Sequence, residues 1–325
     1  MRRVLVPLHA PDVAPLAPRA AQLVSLSGAT MGTTWSVKTI SGASERALRG
    51  LIESSMALVI AQMSQWESDS DISRFNRAAA GSWNVLPDEL FGVLQAALDL
   101  ARDTHGAYDP TIGALTDLWG FGPSGRRSDI PDPTAIAEAS AQCGSQRVKL
   151  DRSRRAAFQP GGVQLDLSSI AKGFAVDLVS EALSKRGIAD HLVEIGGELR
   201  GSGTKPDLSP WWVELEGADD LLIALHGLSI ATSGDARRYV EDGGRRLSHT
   251  LDPRTGWPIA DTLASVTVLS SSCMKADAFA TALSVLGAEP GYRFACERKI
   301  AARFLLRGQG GEVERMTPAF AEMLD

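Results

Sequence analysis

The stretch LDLSSIAKGFAVD, residues 165–177, decides how the chain is read. From here Ile170, Ala171, Phe174, Ala175, Leu178, Val179, Ala182 and Leu183 recur at three- and four-residue steps. That spacing predicts one apolar face of an amphipathic helix. Lys185, Arg186 and Gly187 end it, with basic residues in the last turn and a glycine in the stop position. The polar opening places the helix start near Asp166 to Ser169, where Asp and Ser can cap free backbone N–H groups. Lys172 fits a capped start poorly, because a cation near the positive end of a helix is locally unfavourable. An anion beside it would offset that cost. A helix start with free N–H groups and a lysine one turn in is the arrangement that receives a phosphate. On this stretch alone, an anion site and a plain capped helix both stand.

At 325 residues the chain fits one large domain or two lobes. Its net charge of −6 and the lack of any Lys/Arg-rich run argue against a nucleic-acid-binding surface. Cys143, Cys273 and Cys296 lie far apart, in no metal-ligand spacing, and read as buried or incidental thiols. The opening residues 1–24 begin with two arginines, but Pro7, His9, Pro11, Asp12, Pro15 and Pro18 break every apolar run. They are expected to form a flexible, Pro-rich leader without an export signal, followed by one domain over 25–325. No segment approaches the roughly 20 apolar residues of a membrane span. The expected location is the cytoplasm.

Along the chain, helices are predicted over 44–63, 87–104, 132–142 and 290–297, with a further one in KADAFATALSVLG stopped by Gly287. SQWESDSDISRFNRA reads as too polar for the core, and GAYDPTIGALTDLWGFGP as loop. Strands are expected near 146–151, 211–215, 222–225, 228–231, 300–306 and 312–315 and in ASVTVLS. HLVEIGGELRGSG reads as a hairpin turning at Gly196-Gly197. The mixture is α+β with antiparallel hairpins.

Phosphate-loop, dinucleotide-fold, hydrolase-elbow and zinc-protease motifs are absent. What remains is a set of polar clusters beside helix starts and turns. Asp277 and Thr281 stand four apart on a helix face of small residues, offering two hard oxygen ligands suited to Mg²⁺. The alternative is a capping aspartate and a threonine bonded back to a carbonyl. SHTLDPRTGWP holds His249, Asp252, Arg254 and Thr255 in what also reads as a tight hairpin connection. Trp66 and Tyr108 could stack on a flat ring or serve packing.

Together these clusters resemble the ApbE family of flavin transferases (FAD:protein FMN transferases). The blocks GATMGTTWSV, SDSDISRFN, YDPTIGALTDLWGFGP, LDLSSIAKGFAVD, VEIGGELRGSG, ATSGD, HTLDPRTGWP and KADAFATALSVLG occur in family order over about residues 27–305. The resemblance implies an α+β fold, related to the T-fold, with mixed and antiparallel sheets flanked by helices. It implies two lobes with the flavin site between them. It implies FAD as FMN donor, Mg²⁺, and a target protein whose threonine or serine receives FMN as AMP leaves. Met31, Trp66, Ala107, Tyr108, Asp109, Asp166, Lys172 and Leu251 would line the FAD site, and Ser169, Asp277 and Thr281 the metal.

With that resemblance in place, the anion reading of residues 166–172 is favoured. His249 is the candidate general base, because its neutral imidazole is available near pH 7. Asp252 would orient it or shape the turn. A pyrophosphatase that splits FAD with water, and a flavin carrier without chemistry, are the alternatives.

Overall fold

The computed structural model describes residues 3–8, 21–127, 129–215, 218–234, 239–242, 245–308 and 311–324. Along the chain, β1 (Arg3–Leu5), β2 (Gln22–Thr30) and β3 (Thr33–Ser41) precede α1 (Glu45–Met63) and α2 (Asp71–Asn76). Then come β4 (Ser82–Val85), α3 (Asp88–Asp103), α4 (Gly113–Leu118) and α5 (Pro133–Gln142). β5 (Leu150–Asp151), β6 (Ala156–Gln159) and α6 (Ala171–Lys185) follow. Five longer strands come next: β7 (His191–Ile195), β8 (Glu198–Ser202), β9 (Trp211–Leu215), β10 (Ala218–Leu225) and β11 (Leu228–Gly234). β12 (Tyr239–Asp242) pairs with β13 (Arg245–Ser248), and β14 (Leu251–Asp252) with β15 (Trp257–Pro258). β16 (Leu263–Ser270), α7 (Cys273–Leu286), α8 (Ala288–Glu297), β17 (Ala301–Gly308), β18 (Gly311–Met316) and α9 (Pro318–Ala321) complete the order.

An eight-stranded sheet, β18-β17-β16-β11-β8-β7-β3-β2, organises the molecule, and every neighbouring pair in it is antiparallel. Strand alternation sends successive side chains to opposite faces. Val193 and Ile195 of β7 join one core with α1, α3 and α6, while Leu192 packs on the other face. Val268 of β16 meets Ala276, Ala280 and Leu283 of α7, while its neighbour Leu269 turns toward Trp211, Ile223 and Phe320. Helices α6 and α7 thus cover one face, and a small sheet, β1-β10-β9, covers the other. Among the described residues no helix is long and apolar enough to cross a membrane.

Several local expectations give way to tertiary contacts. The leader is not free throughout: Arg3–Leu5 pairs in parallel with β10, Leu5 is fully buried, and Arg3 is held by Glu314. Residues 9–20 of that leader, and Asp235 at the end of ATSGD, lie outside the described residues. The polar run before residue 78 contains α2, because Ile72 and Phe75 share one face and are buried. The stretch read as loop contains α4, because Leu115 and Trp119, one turn apart, are both fully buried. The strand expected near 146–151 is a 3₁₀ turn at Ser145–Arg147 and a two-residue strand, set by Gly144 at φ +130° and by Asp109, which accepts from Ser145 N–H.

Candidate functional site

The helix read from 165–177 starts later than its polar residues suggest, at Ala171, and carries no side-chain N-cap. Residues 165–170 form an ordered approach to it. Asn76 brackets the Leu165 peptide with two hydrogen bonds, and Asp166 accepts from Ser168 N–H at 2.8 Å and from Thr116 Oγ1 at 2.9 Å. Ser169 donates to the Tyr108 hydroxyl at 3.0 Å. Lys172 and Gly173 therefore occupy the first turn of α6, where N–H groups have no intrahelical partner.

The partner for Gly173 N–H comes from α7. Asp277 Oδ2 accepts it at 2.9 Å. The reverse contact exists one turn along each helix. Asp177 of α6 accepts from Cys273 N–H and Met274 N–H of α7, both at 3.0 Å, and from Ser272 Oγ at 2.8 Å. Residue 173 meets 277 and residue 177 meets 273, so the helices run antiparallel with their starts overlapped. Gly173 permits the approach: a Cβ there would lie 2.3 Å from Cys273 O and 2.8 Å from Asp277 Cβ. Two positive helix ends converge, and such ends favour anions.

Around this crossing the carboxylates are buried, Lys172 is partly exposed, and the charges are unequal in number. Lys172 is paired with Glu198, which begins β8 just after the Gly196-Gly197 turn. Burial pulls the Lys172 ammonium down, but Asp277 and Glu198 outweigh it and hold its pKa above the ordinary value. Burial pushes the Asp277 carboxyl up, against the pull of Lys172 and of Gly173 N–H. Burial and then the Asp277 charge push Glu198 up as well. Its Oε2 is buried without a hydrogen-bond partner. Burial also raises the Tyr108 phenol, and nearby Asp277 and Asp166 add to the shift. Glu198 and Asp277 thus flank one lysine, with Asp166 beside Tyr108, and that excess of buried carboxylate suits a cation.

The donor set fits Mg²⁺. Among the described residues Gly173 N–H alone donates to the Asp277 carboxylate, which leaves oxygen capacity for a metal. Thr281 lies one turn on, half-buried, and Ser169 is in the same cluster through Tyr108. No group of three or more His, Cys, Asp or Glu among the described residues is arranged for a metal. Mg²⁺ suits such a place because it keeps waters and substrate phosphates as ligands and takes few from protein.

The other sequence-derived positions fall into two further groups. Met31 forms the β2–β3 turn with Gly32, at φ +49° and +69°, a conformation that a methionine rarely adopts. Its segment is tied to the Glu198 turn by Gly196 N–H, which donates to Thr34 O at 3.0 Å. Trp66 is 52% exposed, so a face is open for stacking. Tyr108 is not: its ring lies in the core, and Ala107 beside it is fully buried. Asp109 spends both oxygens on Thr111 and Ser145.

His249, Leu251 and Asp252 belong to the β14–β15 hairpin region, tied to α4 by Trp119 Nε1 donating to Gly256 O and to the far end of α7 by Arg254. The His249 ring meets Phe121 edge-on at 6.2 Å, and Leu251 is buried. Asp252 shapes the turn, accepting from Arg254 N–H and from its guanidinium through both oxygens. Sequence reasoning assigned no role to Glu198 or Asp177. Both sit inside quoted blocks, and an acid directly after a Gly-Gly turn was the one available signal for Glu198.

Converging helix starts beside a lysine and buried carboxylates suit a phosphate group held together with a cation. Comparison with known proteins gives the family. The model of the ApbE family matches residues 31–304. An FAD:protein FMN transferase of Haemophilus influenzae is 37% identical over 320 residues, covering 94% of this chain and 92% of the relative. The apo crystal structure of the Pseudomonas stutzeri flavinyl transferase ApbE superposes with a TM-score of 0.86 at 40% identity, covering 93% of this chain and 97% of that one. The flavin transferase ApbE of Vibrio cholerae gives a TM-score of 0.85 at 35% identity, covering 93% and 99%. This chain belongs to the ApbE family.

Proposed function

We propose that the chain transfers the FMN moiety of FAD to a threonine or serine hydroxyl of a target protein, releasing AMP. One observation carries the reading: a lysine between two buried carboxylates, Glu198 and Asp277, where two helix starts converge. Family membership supplies the flavin. Lys172 would meet the diphosphate, and Asp277, Thr281 and Ser169 would hold Mg²⁺, whose charge offsets that of the phosphate oxygens. Met31 and Trp66 lie on segments suited to the ring, while Ala107, Tyr108, Asp109, Asp166 and Leu251 build the walls that fix those segments. His249 accepts the proton of the acceptor hydroxyl. The freed oxygen bonds to the FMN phosphorus as the bond from that phosphorus to the bridging oxygen breaks, and AMP departs with the bridging oxygen. Most of the catalytic gain in such a reaction is positioning and charge neutralisation.

The test is incubation with FAD, Mg²⁺ and a domain or peptide carrying an acceptor threonine, followed by mass measurement. Gain of FMN mass on the acceptor is expected, whereas FMN found only in solution would make the enzyme a hydrolase. His249→Ala should slow transfer by roughly 10²–10⁴-fold while FAD affinity stays within a few fold. Turnover near wild type would place the base elsewhere.

A further inference from the structure

Asp177 touches neither the lysine nor the proposed metal ligands, yet it fixes where α7 begins. Its Oδ1 takes Cys273 N–H and the Arg200 guanidinium, and its Oδ2 takes Met274 N–H and Ser272 Oγ. Arg200, from β8, also donates to Ser271 O at 2.8 Å. One carboxylate therefore joins α6, β8 and the first turn of α7. Asp277 stands four residues, about 6 Å, beyond Cys273 on the same helix. The second hydrogen-bonded contact between the helices is Asp277 itself, on Gly173 N–H. Two points define a register. With Asp177 removed, Asp277 would be the polar tie left between α6 and α7 among the described residues, beside their apolar packing.

We infer that Asp177 is a positioning residue for the metal site, setting the height and rotation of α7 so that Asp277 and Thr281 face Ser169 and Lys172. This rests on the FMN-transfer reading for what the metal does, though not for whether it binds. Asp177 touches no reacting group. Its loss should therefore weaken Mg²⁺ binding more than it alters the chemistry once Mg²⁺ saturates.

The experiment measures two quantities on Asp177→Ala and on the milder Asp177→Asn: the Mg²⁺ concentration giving half-maximal transfer, and the Mg²⁺ concentration giving half-maximal thermal stabilisation of FAD-free protein. Phe320→Leu, a distant change in the opposite core, is the control for destabilisation alone. Asp177→Ala should raise both concentrations roughly tenfold, the scale of a ~1.4 kcal/mol change. Asp177→Asn should raise them less, with turnover at saturating Mg²⁺ within about threefold of wild type for a residue outside the chemistry. Phe320→Leu should leave both unchanged. Half-saturation within twofold of wild type for both Asp177 variants, whatever their melting temperatures, would reduce Asp177 to a helix cap. Mg²⁺ stabilisation without transfer in the wild type would sink the functional reading and leave this one testable.

Discussion

The starts of α6 and α7 present the same device twice, each capped by an aspartate from the other helix, yet the two aspartates differ in what they have left. Asp177 is saturated by donors from Ser272, Cys273, Met274 and Arg200. Asp277 is more deeply buried and has one donor among the described residues, Gly173 N–H, with Lys172 nearby. A buried carboxylate supplied with its full complement of donors is structural. One that is short of donors is costly to keep unless a ligand completes it. Residue type and secondary structure are alike in the two, so the donor count separates scaffold from site.

The largest effect should come from the incomplete one. Asp277→Ala should lower transfer by on the order of 10²-fold or more, with partial recovery at high Mg²⁺, since each ~1.4 kcal/mol of barrier is tenfold. Flavin should still bind, because Met31 and Trp66 lie on other segments. Transfer rates titrated against Mg²⁺, with FAD binding followed separately, decide this, and a mutant equal to wild type at limiting Mg²⁺ would erase the distinction between the two aspartates.

The complete one should dominate stability. Asp177→Ala removes four donors' acceptor and leaves Arg200 with Ser271 O but without its charge partner, at a cost of about 3 kcal/mol in denaturant unfolding. Asp277→Ala should cost less in the same assay, because it also relieves crowding among buried carboxylates. If Asp277→Ala proved the more destabilising, the roles would be reversed.

Gly173→Ala tests the crossing itself. The added methyl meets Cys273 O and must push α7 away, costing roughly 1–3 kcal/mol as other overpacked contacts do. It should also impair transfer, because Asp277 moves with its helix. The smallest effect belongs to Ser272, the N-cap of α7, whose Oγ accepts from Lys275 N–H and donates to Asp177. Ser272→Ala should lower stability by about 1 kcal/mol, the usual value of a helix cap, and leave the rate per folded molecule close to wild type.

The amino-acid sequence determined what short-range rules can decide. The period of Ile170 to Leu183 fixed α6, the Gly196-Gly197 pair fixed the β7–β8 hairpin, and Ser44 and Gly287 marked the ends of α1 and α7. The ordered blocks identified the family, and with it the residue set of the proposed site. Those rules failed where burial rather than pattern makes the structure. α4 formed around Leu115 and Trp119 in a glycine-rich run, and Arg3–Leu5 found a strand partner more than two hundred residues away. The helix start fell at Ala171 instead of at the serines, because Asp277, about a hundred residues on, supplies the cap that Ser168 and Ser169 do not. Only the tertiary structure could show that Asp177 and Asp277 exchange helices, or that Glu198 is buried against Lys172 with an oxygen unpaired. Local propensity depends on neighbours within a turn or two, whereas the number of donors around a buried carboxylate depends on which distant segments the core brings together.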